Sequence, residues 1–148
     1  MKKNSFNSES IKLNFGQYYI SQAKRYSLNN KGQFEITEFS NTVIEVFPVD
    51  DIIVGYMVVG KYNNNNNTID YIPEIERVQN IGYIEITKDG VKKAHIKAAP
   101  AAGNGTLEEW IISDDFETIE SKYILNSGIG DYINRPTVWI SHFKKLDI

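Results

Sequence analysis

The feature that most constrains this chain is a short-period alternation broken by turn residues. From Ile81 to Thr87, Ile84 and Ile86 fall on one side, with Tyr83 and Glu85 on the other. A period of two is that of a strand with one face toward a core. Lys88-Asp89-Gly90 follows, with Gly90 suited to the left-handed backbone of a tight turn. Val91 to Ala98 then returns as the partner strand, which makes a hairpin.

The pattern recurs along the chain. Tyr18 to Ser27 is rich in aromatic and β-branched residues and leads into Asn29-Asn30-Lys31-Gly32, a turn. Phe34 and Ile36 share one strand face. Val43 to Phe47 alternates too, and Pro48 stops it for lack of an N–H. Ser40-Asn41 between these runs reads as a hairpin turn. Ile52 to Tyr62 is the most apolar stretch; its continuous apolar run suggests a strand buried on both faces, and Gly55, Gly60 and the β-branched residues favour strand over helix. Asn63 to Asn67 is five asparagines, expected in an exposed loop.

Residues 1–10 read as a loose terminus, 73–80 as loop or helical turn, and 98–106 as a glycine-rich loop. Leu107 to Ile112 and Thr137 to Phe143 are expected strands, holding Trp110 and Trp139 as core anchors between sheet and helix. That helix is expected near residues 115–126. Asp114 and Glu117 have capping-box spacing, and Phe116, Ile119 and Tyr123 recur at helical intervals. The expected fold is mainly β, a sandwich or curved antiparallel sheet with one C-terminal helix, and α+β is the alternative. The 148 residues suffice for one domain with its own core, and no repeat or interior linker divides them.

Composition removes whole classes of chemistry. With no cysteine there is no disulfide, thiolate metal site or thiol catalysis. A net charge of −3, with Arg25, Arg77 and Arg135 the sole arginines, suits a polyphosphate partner poorly. The start lacks the apolar run of a leader, and no stretch has the length of a membrane span. A cytoplasmic location without membrane or nucleic-acid partners is the expectation.

No catalytic motif stands out. His95 and His142 are the only histidines, with no metal-ligand spacing around them. Ser141 and His142 are adjacent, so a regular strand would turn them to opposite faces. An enzyme would have to use His142 or His95 as base, with Asp131 or Glu85 as helper. Gly128-Ile129-Gly130 follows an expected helix and lacks a third glycine, so it is no phosphate loop. Asp50-Asp51 and Glu108-Glu109 are adjacent pairs whose side chains diverge on a strand.

Two functional expectations follow. The first is a non-catalytic module that binds another protein, of inhibitor, immunity or counter-defence type. Asp114, Asp115, Glu117 and Glu120 would steer it onto a basic surface, with Tyr62 and Tyr71 as contacts. The second is a small-ligand binder, a barrel or sandwich walled by Trp110, Trp139 and Tyr56, with 98–105 as lid. A structural subunit that self-associates is a third. None of them calls for a metal or cofactor.

Overall fold

A computed structural model describes residues 16–50, 52–97, 107–127 and 135–147. Among these described residues nine strands form: β1 (Gln17–Leu28), β2 (Phe34–Pro48), β3 (Ile53–Asn63), β4 (Thr68–Tyr71), β5 (Gln79–Ile86), β6 (Lys92–Lys97), β7 (Leu107–Ile112), β8 (Thr118–Ser127) and β9 (Arg135–Lys145). Each long strand pairs antiparallel with the next, and β9 pairs back onto β1 from Lys145↔Tyr19 to Val138↔Tyr26. The curved antiparallel sheet expected from sequence is therefore present, but closed as an eight-stranded barrel instead of a sandwich. β4 stands outside this ring as a short flap on the far end of β3.

Alternation decides which side chains fill the barrel. β7 sends Glu108, Trp110 and Ile112 inward, and all three are buried while Leu107, Glu109 and Ile111 are exposed. On β1 the inward set includes Tyr19, Ser21 and Ala23. Small residues such as Ser21, Ser121 and Ser141 lie beside large rings, which lets Trp110, Tyr56 and Phe143 share a narrow interior. Gly82 serves the same economy at the wall, since a Cβ there would collide with the His95 carbonyl of β6.

Two expectations are overturned here. Residues 118–127 form β8 rather than a helix, and the described residues contain no α-helix, only a 3-10 turn at Glu74–Glu76. The run Ile119, Ser121, Tyr123 alternates inward, paired with β7 and β9 on either side. Those ladders satisfy the backbone across strands, which outweighs a local helical spacing. The Asp114–Glu117 capping box is instead the β7–β8 turn. Asp115 Oδ1 accepts from Ser113 Oγ at 2.7 Å and from the Glu117 N–H at 3.0 Å. Trp110 and Trp139 accordingly sit in a barrel, without a helix to pack against.

Ser40-Asn41 is likewise no hairpin. β2 runs unbroken through it, and Asn41, at φ 64°, is the extra residue of a bulge between the Ser21↔Thr42 and Gln22↔Ser40 pairs. The Asn29–Gln33 and Thr87–Val91 turns form as expected, with Gly32 and Gly90 at positive φ. Asn64 to Asn67 is an exposed turn between β3 and β4. In β3, the consecutive Val54, Gly55 and Tyr56 are buried, as are Val59 and Gly60, so both faces are covered there as expected, whereas Val58 is exposed. The expected loose terminus 1–10, the 98–106 loop and Gly128-Ile129-Gly130 lie outside the described residues.

Candidate ligand chambers

Among the described residues, two cavities border the barrel core. The larger, of about 430 Å³, occupies the end of the barrel where β7 turns into β8. Its walls are mostly apolar, with Val54, Ile84, Trp110, Ile112 and Ile119 among them, and Gln17, Asp50, Asp115 and Lys145 add polar groups. An eight-stranded barrel has room for either packed side chains or one small ligand.

Phe116 closes part of this end. Its backbone takes a φ of 60°, unusual for a bulky residue. Three contacts hold it there: its N–H donates to Ser113 O at 2.9 Å, its carbonyl accepts from the Tyr19 hydroxyl at 2.5 Å, and its ring lies 5.3 Å from the Lys92 ammonium. Burial pushes the Tyr19 phenol up to about 12, helped by the Glu117 and Asp115 charges. Ser113's hydrogen bond holds Asp115 below the usual carboxylate range.

The second chamber, of about 270 Å³, lies on the other side of the Tyr56, Trp110 and Phe143 rings. Aromatic residues dominate it. Trp139 stacks on Phe39 at 5.2 Å and on Tyr123 at 6.0 Å between ring centres. The Trp139 indole N–H is buried with no hydrogen-bond partner among the described residues. Arg25 lies 5.6 Å from the Phe39 and Trp139 ring centres and bonds Thr37 at 3.4 Å. Val58, one residue past the last β3–β5 pair, lines the chamber and is 40% exposed, so an opening lies there.

Glu108 is the unusual member of this second wall, at 5% exposure. Its Oε1 accepts from the Tyr56 hydroxyl, and its Oε2 from Trp110 Nε1 and Ser121 Oγ, each at 3.0 Å. Burying a carboxylate costs several kcal/mol. Hydrogen bonds to a charged group return about 1.5–3 kcal/mol each, so three of them roughly offset the cost. Burial first, and then the Glu108 charge, push the Tyr56 and Tyr123 phenols well above their ordinary value, which keeps the Tyr56 donor to Glu108 protonated.

The residues expected to contact a partner are dispersed. Asp114 pairs with Lys92 at 3.5 Å, Glu117 with Lys145 at 3.9 Å, and Glu120 with Lys122 at 3.3 Å and His142 at 3.7 Å. Tyr71 lies beneath Arg77 on the β4 flap, and Tyr62 donates to Asn67 Oδ1. Trp110 lines the larger chamber, while Tyr56 and Trp139 line the smaller. His95 Nε2 stands 3.6 Å from Glu85 on the outer face, and Ser141 and His142 point to opposite faces. Asp131 lies outside the described residues. No group of three or more His, Asp or Glu that could hold a metal occurs among the described residues.

Sequence reasoning missed Glu108. The signal was present: two residues before Trp110 on a strand, it must share that ring's face. Comparison with known families, characterised proteins and solved structures finds no significant match.

Proposed function

We propose that the barrel binds one small apolar molecule in the chamber beneath Phe116. The observation that carries this reading is the chamber itself: about 430 Å³, walled by Val54, Ile84, Trp110, Ile112 and Ile119, inside a closed sheet. Ligand sites of this size are mostly apolar with a few placed polar groups, and Gln17, Asp50, Asp115 and Lys145 supply those. A medium-chain fatty acid matches that layout, its chain among the aliphatic walls and its carboxylate toward Lys145.

The outer face supports a barrel surrounded by water. Lys24–Glu38, Lys93–Glu109 and Glu120–Lys122 are paired charges on outward positions of the strands. Lysine on a lipid-facing strand costs about 2–4 kcal/mol at mid-bilayer, so this surface does not suit a lipid-facing barrel. No helix among the described residues is long and apolar enough to cross a membrane.

The test is thermal unfolding with a series of fatty acids from eight to sixteen carbons. A ligand at a hundred times its Kd adds about 2.7 kcal/mol of stability, which is roughly 5–10 °C in Tm. Ile84→Trp should crowd the chamber with an indole and weaken that shift. An unchanged Tm across the series, or an equal shift in Ile84→Trp, would overturn the reading.

A further inference from the structure

We infer that the second chamber is a separate site for a small organic ammonium ion, with Glu108 as its counter-ion. Four observations converge on it. The first is a buried carboxylate in a cavity wall with no cation of the chain paired to it among the described residues. Its partners are all neutral donors: Tyr56, Trp110 and Ser121.

The second is the acceptor count. A carboxylate offers about four acceptor sites. Oε2 uses two, on Trp110 and Ser121, and Oε1 uses one, on Tyr56. One acceptor site on Oε1 is left by this count, on a side chain that lines the cavity together with Tyr56. An N–H donor of a ligand fits it.

The third is the remaining wall. Phe39, Tyr123, Trp139 and Phe143 line it with ring edges and the parts of their faces left by the Trp139 stack, and no Lys, Arg or His is among its described lining residues. Aromatic faces attract cations, more strongly where water is excluded. Arg25 already uses the Phe39 and Trp139 rings in this way from outside the lining set. An anionic ligand would meet the Glu108 charge directly, with Arg25 behind the Phe39 and Trp139 rings as the nearby cation shown. The fourth is size and access: about 270 Å³, open beside Val58, suits a small amine.

The two chambers share no lining residue, although Trp110 in the wall of the larger reaches Glu108 through its indole N–H. The experiment is isothermal titration of the full chain with 2-phenylethylamine and with 2-phenylethanol, which replaces the ammonium by a neutral hydroxyl. The expected result is saturable binding of the amine, at least about tenfold tighter than the alcohol, as one charged hydrogen bond provides. Glu108→Gln should bring the two ligands level. Val58→Trp, which closes the opening and leaves the Glu108 contacts alone, should abolish binding even if Glu108→Gln does not fold. Ile84→Trp should leave amine binding unchanged, which separates this result from the fatty-acid reading. Absence of amine binding at millimolar concentration, parity with the alcohol, or full amine affinity in Val58→Trp would overturn the proposal.

Discussion

Phe116 shows how much one residue can be made to bear. An L-residue in the left-handed region costs about 1–2 kcal/mol, and the Tyr19 hydroxyl, the Ser113 carbonyl and the Lys92 ammonium together hold it there. Backbone cost and side-chain contribution can be separated by two variants. Phe116→Ala keeps the unfavourable φ and loses the ring, whereas Phe116→Gly loses the ring and relieves the φ. The glycine variant should therefore unfold at higher urea than the alanine variant, by about 1 kcal/mol. Both should weaken fatty-acid binding, because both uncover the same chamber. Equal urea midpoints would mean that the turn does not impose this conformation. Glu108 is the corresponding case for a side chain, tolerable inside only because three donors reach it.

At the scale of the element, Asn41 sets the phase of β2. Thr42 faces in beside Ser21, and after the bulge Phe39 faces in beside Ala23. Without the extra residue, Phe39 would turn to solvent and leave the stack on Trp139, because a one-residue slip exchanges the two faces. Asn41→Gly should be neutral or slightly stabilising, and Asn41→Val should cost about 1–2 kcal/mol in a denaturant titration. This bulge also marks where sequence legibility ended. Leu107 to Ile112, the Lys88–Gly90 turn and the Asn29–Gly32 turn were readable from alternation and turn chemistry alone. Asn41 was misread as a hairpin because an asparagine at positive φ serves a turn and a bulge equally well. β8 was misread because the inward Ser121 interrupts its apolar alternation, leaving Phe116, Ile119 and Tyr123 to mimic a helix. For the site, Trp110, Trp139 and Tyr56 were legible as wall candidates. Their division between two chambers was not, since it depends on barrel closure, which no local pattern encodes.

The whole molecule carries its tyrosines as an alkaline limit. Tyr19 is raised to about 12, and Tyr56 and Tyr123 are pushed higher, chiefly by burial. An unfolded tyrosine ionises near pH 10, so above that pH the unfolded chain binds fewer protons than the folded one. The stabilising contribution is complete below pH 10 and is lost as pH rises toward 12. Tyr19→Phe should flatten this decline by on the order of 1–2 kcal/mol, measured as urea midpoints at pH 9 and pH 11.5. A decline as steep as in the unmodified chain would show that Tyr19 titrates freely when folded. Closure of the ring has its own consequence. The β9–β1 seam joins residues as remote as Lys145 and Tyr19. Contacts so distant along the chain slow folding, because an extended loop must be gathered before any of them forms. On the ribosome, β1 offers an unpaired edge until β9 has been made. The interval between those two events is when this protein is most exposed to aggregation, and mutations that weaken the seam should lower refolding yield well before they alter the finished barrel.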